Sequence, residues 1–422
     1  MRTSGALVLA LVVAAPMSAQ RAPVPAVGRS AEPGATLDVA IVTYGPGDAV
    51  WEHFGHNAIW IRDTAVPDDE GVSYNYGLFD FNQPYFIPHF LQGRMWYAMG
   101  GFPGESYNQV YVRENRSIWV QELDLPPSAR VKLLAFLQWN AREENRHYFY
   151  DYYRDNCSTR VRDAIDRVIG GRIRAETAGV PSHTTYRFHT RRLTADDPLI
   201  YTGLDLLMGR PTDRPISAYE EMFLPLRLRD WLRGVTVVRA DGSVGPLVRS
   251  ERTLYASTRP PLPDAPPPWF WRYLLLGVVI GGGLLLLAWR ASHGRDAARR
   301  AFAWLGGAWL SLVGVAGVIV TGMWALTDHT ATYHNENILQ VNLLALPLAV
   351  LLPRVAFPRG RARRPALVLA VLVAVLSVAG LLIKLVPGGQ VNGDVLALLV
   401  PAQLGVVSGL LLIARRSESA GG

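Results

Sequence analysis

One cysteine, Cys157, occurs in this chain of 422 residues, within the polar stretch YDYYRDNCSTRVRDAIDRVIGG. Apolar residues follow it at helical spacing, and two glycines then end the pattern, which predicts a helix that begins at the cysteine. The N–H groups and the dipole at a helix N-terminus stabilise a thiolate and can hold an oxyanion. Cys157 is therefore the predicted nucleophile, with a lowered thiol pKa, and the alternative is a small buried hydrophobe.

A nucleophilic thiol requires a base. His56, in the stretch WEHFGHNAIWI, stands at the mouth of a predicted strand and is the first candidate, and His53 is the second. We therefore predict that His56 takes the proton of Cys157.

The base in turn requires a polar group that fixes its orientation. The next predicted strand, VSYNYGLFDF, offers Asn75 for this role. The predicted catalytic group is thus Cys157, His56 and Asn75. Weaker candidates on the same segments are Tyr76, Asp80 and Asn156, the last of which is also a predicted N-cap of the helix.

Two other groups of residues suggest different chemistry. A hydrolytic metal site built on His53 and His56, with His89 and His147, requires that EHFGH be a turn or helix, because residues three apart point to opposite faces of a strand. Three arginines in YRFHTRRL, at positions 187, 191 and 192, could bind an anion, although such side chains are more often solvated. We predict a reaction without a metal ion or other cofactor.

A polar segment, TDHTATYHNEN, carries more ionisable and amide groups than a short connector needs. His329 and His334 in this segment are secondary site candidates. A solvated loop is an equally good interpretation.

Apolar segments predict where these residues are located. Residues 1–20 have the layout of a cleaved secretory signal, and five apolar stretches between residues 270 and 416 approach the length of membrane spans. Arginines cluster after the first, third and fifth stretches, which predicts a cytoplasmic C-terminus and a periplasmic N-terminal domain at a bacterial inner membrane. This topology explains the net charge of +7 without nucleic-acid binding.

The predicted periplasmic domain spans residues 37–255 and is followed by a Pro-rich stalk at 256–269. Strands are predicted in LDVAIVTYG, NAIWIRD, VSYNYGLFDF and SIWVQELDL, a helix in PPSARVKLLAFLQWNAREENR, and a hairpin turning at Asp241 and Gly242. The fold class is α+β, followed by five transmembrane helices. A lone cysteine gives this domain no internal disulfide.

The motifs HFGHNAIWI, YNYGLFDF, YYRDNCSTRVRD and EEMFLP resemble the bacterial Lnb N-terminal periplasmic domain family over about residues 37–250. The order of histidine, two strands and a helix that begins with the cysteine is also similar to circularly permuted papain-like enzymes, of the lecithin:retinol acyltransferase-like and NlpC types. This second resemblance implies a papain-like fold, with His56 as base and Cys157 as nucleophile. Those relatives often use a histidine where this sequence has Asn75.

These observations predict a membrane-anchored thiol hydrolase or acyltransferase that forms a thioester on Cys157. Its substrate would be an amide or ester of the bacterial envelope: a peptidoglycan peptide, a lipoprotein or a lipid. The alternatives are a non-enzymatic periplasmic accessory or folding factor, and a metal-dependent hydrolase that uses His53 and His56.

Overall fold

The computed structural model describes residues 32–79, 85–239, 241–356 and 363–419. The predicted signal peptide and Asp80 lie outside the described residues. Within them, an α/β domain built on one large sheet precedes a helical region.

The described strands all belong to the N-terminal domain. In chain order they are β1 Leu37–Tyr44, β2 His56–Asp63, β3 Val72–Leu78, β4 Trp96–Pro103, β5 Ile118–Leu123, β6 His147–Phe149, β7 Pro181–Thr185, β8 Pro215–Ser217, β9 Thr236–Val238, β10 Val244–Pro246 and β11 Val248–Tyr255. Seven of them form an antiparallel sheet in the order β11-β5-β1-β2-β3-β4-β6. The strands β7 with β8, and β9 with β10, form two small separate ladders.

The described helices occur in both regions. In the N-terminal domain they are α1 Phe86–Gln92, α2 Gly104–Arg113, α3 Pro127–Asn140, α4 Cys157–Val168, α5 Arg172–Thr177, α6 Tyr186–Leu193, α7 Pro198–Leu207, α8 Ala218–Glu221 and α9 Pro225–Leu232. The C-terminal region contains α10 Phe270–Ser292, α11 Asp296–Leu326, α12 Ala345–Ala356, α13 Arg363–Leu382 and α14 Gly393–Ser419.

Alternation along the central strands separates two cores. One face, which includes Ile41, Ile59 and Tyr74, packs against α3 and α4. The other face, which includes Ala58 and Trp60, packs against α2. Because side chains alternate along a strand, neighbouring residues of β2 and β3 contribute to opposite cores.

The structure confirms the four predicted strands as β1, β2, β3 and β5, and the two predicted helices as α3 and α4. The predicted hairpin is formed by β9 and β10, with Gly242 at a φ of +81° in the turn. Sequence reasoning missed β4 and β6, which complete the sheet beyond β3. The glycines at the centre of β4 interrupt the alternation that identifies a strand.

The helical region contains four described helices that are long and apolar enough to cross a membrane, namely α10, α11, α13 and α14. Four of the five predicted spans therefore have this length, and the fifth stays a prediction. The third predicted span forms α12, which has 12 residues. A helix of this length covers about 18 Å, well short of a hydrocarbon core of roughly 30 Å.

Buried polar side chains join the two regions. Asn335, in the connector between α11 and α12, donates to the carbonyls of Leu206 and Leu207 at the end of α7. Asp394, in the first turn of α14, pairs with Arg191 of α6 and accepts a hydrogen bond from Tyr201 of α7. These contacts attach α6 and α7 to the ends of the membrane-length helices.

Candidate active site

His56 and Asn75 lie on the same face of the sheet and are hydrogen-bonded. The Nε2 atom of His56 lies 3.0 Å from Oδ1 of Asn75. Ala58, two residues after His56, pairs with Asn75 in the β2–β3 ladder, so alternation places both side chains on the α2 face. The imidazole ring also lies nearly parallel to the ring of Tyr44, at a centroid distance of 5.8 Å.

Ser73 fixes the orientation of the Asn75 amide. Nδ2 of Asn75 donates to the carbonyl oxygen of Ser73 at 2.9 Å and lies 3.1 Å from its Oγ. A carbonyl oxygen only accepts, so the amide oxygen must face His56. The Nε2 atom of His56 therefore carries the hydrogen, and its Nδ1 atom carries the lone pair that a general base requires.

Cys157 lies where the β2–β3 ladder ends. The last pair of this ladder is Ala58 with Asn75, and the backbone N–H of Asn57, the next residue toward the start of β2, donates to the cysteine sulfur. On the other strand, Gly77 has a φ of +87°, and a Cβ built there would lie 3.5 Å from the Cβ of Cys157. The cysteine is thus in contact with the residue that follows His56.

The helix that carries Cys157, α4, and the imidazole of His56 lie on different faces of the sheet. Cys157 is the first residue of α4 and lies beyond the last β2–β3 pair, beside Gly77. Burial raises the pKa of Tyr107 on α2 and of Tyr148 on the opposite face, and charge on Cys157 adds to both shifts.

The structure corrects the predicted ionisation of the thiol. Burial raises the pKa of Cys157 to about 11, although the N–H groups of Asn57 and Ser158 and the charge of Arg116 act in the opposite direction. Burial also lowers the pKa of His56 to about 4, and Arg116 adds to this shift, whereas the hydrogen bond that His56 donates to Asn75 opposes it. The helix N-terminus does act as predicted, but desolvation outweighs it. At neutral pH both groups are therefore uncharged.

Arg116 is a cation whose charge influences both groups. The side chain is 5% exposed, donates to the carbonyl of Gly45 and lies over the ring of Tyr111, 4.6 Å from its centroid. Sequence reasoning missed this residue, because it lies in a turn before β5 and only tertiary contacts bring it near His56. Ser73 was also missed, although its place two residues before Asn75 is a usable signal.

The secondary candidates of the catalytic segments have structural roles. The Tyr76 hydroxyl donates to Asn140 at 2.8 Å in the core beneath α3. The Asn156 side chain caps α4 by accepting from the N–H of Thr159, and its amide donates to the carbonyl of Phe223. His53 is buried beside Asp48 and 3.7 Å from the Asp196 carboxylate. Asp80 is outside the described residues.

The predicted metal site has no set of ligands in the part of the chain that the structure describes, because no three His, Cys, Asp or Glu side chains lie close together there. His53 follows a short 3-10 helix, so EHFGH is a turn as that alternative required. His56 nevertheless faces Asn75, and His147 is solvent-exposed.

The predicted anion-binding arginines are occupied by partners within the protein. Arg187 is 1% exposed and pairs with Asp205 and Asp213. Arg191 pairs with Asp394, and Arg192 donates to His189. These pairings favour a structural role.

The polar segment after α11 lies against the N-terminal domain. Nε2 of His329 lies 3.0 Å from the carbonyl oxygen of Phe90, and the ring of His329 stacks on Tyr152 at a centroid distance of 6.1 Å. His334 lies against Trp324 of α11. His329 therefore contacts the YDYYRDNC motif at Tyr152 and not at Cys157 itself.

Comparison with known proteins identifies the N-terminal region. Residues 30–192 match the family model of the Lnb N-terminal periplasmic domain, as the sequence motifs predicted. No curated protein and no solved structure matches the chain. The N-terminal region is therefore similar to a periplasmic domain of this family, and the helices that follow it are long and apolar enough to span a membrane.

Proposed function

We propose that this Lnb-type domain is a membrane-anchored thiol hydrolase or acyltransferase of a permuted papain-like kind. Its catalytic group would be Cys157, His56 and Asn75, and its substrate an amide or ester of the bacterial envelope. The observation that carries the proposal is the hydrogen-bond arrangement at His56. The Nε2–H group of His56 donates to Asn75, so Nδ1 carries a lone pair and no hydrogen. The sulfur of Cys157 is in contact with Asn57, the residue that follows His56.

In the first half of the reaction, Cys157 and His56 both start uncharged. The sulfur of Cys157 attacks the carbonyl carbon while its proton moves to Nδ1 of His56, because neither group is ionised beforehand. Backbone N–H groups at the start of α4 stabilise the oxyanion. Collapse of the intermediate breaks the C–N or C–O bond, and the leaving amine or alcohol takes the proton from His56.

The second half releases the acyl group from the sulfur. Water, or an acceptor amine or hydroxyl, attacks the thioester while His56 takes its proton. The proton then returns to the sulfur as the C–S bond breaks. Water as acceptor gives hydrolysis, whereas an amine or hydroxyl gives acyl transfer.

The attachment of the domain to the membrane-length helices favours a substrate in the bacterial envelope. The domain is attached to membrane-length helices through Asn335 and Asp394, so its site stays close to the bilayer. Both connectors that lie on the domain side of the membrane lack arginine, whereas arginines occur before and at the start of α13 and near the C-terminal end of α14. This charge distribution supports a cytoplasmic C-terminus.

Acylation by a chromogenic ester tests the proposal. The full-length protein in detergent is mixed with a short-chain p-nitrophenyl ester, and intact mass spectrometry records acyl addition. Because the chain has one cysteine, a gain of one acyl group that is lost in Cys157→Ser identifies the site. We expect His56→Gln to slow acylation by about 10²–10⁴-fold, the usual contribution of a general base.

The matched control is His147→Gln, an exposed histidine, which should acylate like wild type. Equal acylation of wild type and His56→Gln contradicts the assignment of the base. A thiol that reacts with small alkylating reagents but never acylates favours the accessory or folding-factor role. Ester cleavage that requires a metal and survives Cys157→Ser favours the metal hydrolase.

A further inference from the structure

A surface of large apolar side chains surrounds α1 and the adjoining edge of the sheet. Tyr85 is 76% exposed and Leu91 is 56% exposed. Trp96 on β4 and Phe149 on the edge strand β6 are exposed and in contact, with ring centroids 4.2 Å apart. We call this set the α1 surface; it comprises Tyr85, Phe90, Leu91, Trp96, Phe149 and Tyr152. A group of exposed large apolar side chains is typical of a contact site.

The α1 surface adjoins the end of a membrane-length helix. The backbone N–H of Asp328, two residues after the end of α11, donates to the carbonyl oxygen of Gln92 at 2.8 Å. Arg94 pairs with the Asp328 carboxylate at 2.6 Å. His329, the next residue, lies 3.0 Å from the Phe90 carbonyl and stacks on Tyr152.

The end of α11 is suited to contact with lipid. Leu326, the last residue of the helix, is 80% exposed, as expected for an apolar side chain that lipid covers. The headgroup layer continues roughly 5–7 Å beyond the hydrocarbon core, from the difference between the two bilayer thicknesses. Side chains held by Asp328 and His329 are therefore at the level of this layer.

We propose that the α1 surface rests on the periplasmic leaflet, with its aromatic and aliphatic side chains among the lipid headgroups. Tyrosine and tryptophan side chains are enriched at this level, because one part of the ring is apolar and the other is polar. A helix that lies in the membrane plane inserts apolar residues such as Leu91 in the same way. The partner is thus a lipid surface.

A second contact at the membrane supports this orientation. α7 presents Leu199, which is 81% exposed, and Thr202 of the same helix is hydrogen-bonded to Tyr273 in the first turns of α10. Two separate elements of the domain, α1 and α7, therefore lie at the membrane boundary. Two such contacts restrict how the domain can tilt.

Fluorescence quenching in the full-length protein tests this inference. The cysteine-free variant Cys157→Ser receives one new cysteine through Leu91→Cys, which is labelled with bimane in phosphatidylcholine nanodiscs. Val244→Cys is the matched control, because Val244 is 59% exposed on β10, and β10 immediately precedes β11, the strand at the sheet edge opposite to β6. This background lacks the proposed nucleophile, so the result does not depend on the proposed catalysis.

The expected result is quenching of the Leu91→Cys label by nitroxide-bearing lipid, together with weaker quenching by aqueous iodide than at Val244. Equal iodide quenching at both positions would overturn the proposal, since the surface would then face water. A Leu91→Cys label that neither quencher reaches would also overturn it. In that case protein, such as a second copy of this chain, covers the surface.

Discussion

The pH dependence of Cys157 alkylation tests the uncharged ground state directly. Burial raises the pKa of this thiol from 9.0 to about 11, and His56, with its pKa lowered to about 4, is neutral across the physiological range. A preformed thiolate–imidazolium pair would react rapidly at neutral and mildly acidic pH. The structure predicts a slow thiol instead.

The expected rate follows from two opposing effects. Near neutral pH, a pKa two units higher lowers the thiolate fraction about 100-fold. The more basic thiolate is also a better nucleophile, and a Brønsted coefficient of about 0.4–0.5 recovers roughly a factor of ten. Cys157 should therefore react with iodoacetamide about tenfold more slowly than an exposed cysteine.

Rates are measured by mass spectrometry on the full-length protein in detergent, across the range from neutral to strongly alkaline pH. The logarithm of the rate should rise with unit slope to about pH 10, because only the thiolate reacts. His56→Gln should leave this profile unchanged, and the urea-unfolded chain should react with the profile of a free cysteine. A rate that stays level below pH 8 in the folded protein would refute the reasoning.

Four further outcomes are expected. Asn75→Ala leaves the Nε2 hydrogen of His56 without its acceptor, so acylation should fall while alkylation does not, and the lost partner should cost about 1–3 kcal/mol in thermal unfolding. The folded pKa of His56 lies below its usual 6.5, so the unfolded chain binds more protons between these values. Unfolding free energy should fall on acidification from pH 6.5 to 4, by at most about 3 kcal/mol, and His56→Gln should reduce that slope. Asp205→Asn removes one partner of the buried Arg187 and should lower unfolding free energy by roughly 3 kcal/mol, whereas an unchanged midpoint would contradict the pairing. Gly77→Ala places a side chain at a φ of +87° beside the cysteine, and calorimetry should show a loss of about 1–2 kcal/mol.

Local patterns in the sequence were sufficient for much of the site. The apolar spacing after Cys157 and the two following glycines predicted α4 and its N-cap, because both signals act within a few residues. The alternation in VSYNYGLFDF predicted β3 and so placed Asn75 beside the strand of His56. The motifs likewise predicted the family that residues 30–192 match.

Membrane topology was predicted less completely. Composition identifies apolar stretches, and four of the five formed helices of sufficient length. The third stretch forms α12 only from Ala345, after a connector whose Asn335 and Asn337 are hydrogen-bonded to the N-terminal domain. Hydropathy cannot show such contacts, since they depend on partners more than a hundred residues away.

The sequence by itself predicted which residues could carry chemistry, and it determined the elements that hold them. It could not determine their ionisation, because the pKa of Cys157 depends on the balance between the helix N-terminus and desolvation, and burial is a property of the packed fold. Tertiary structure also decided that Ser73 orients Asn75, that Arg116 lies near the imidazole, and that α1 meets the end of α11. Each of these depends on distances between segments that are remote in the chain.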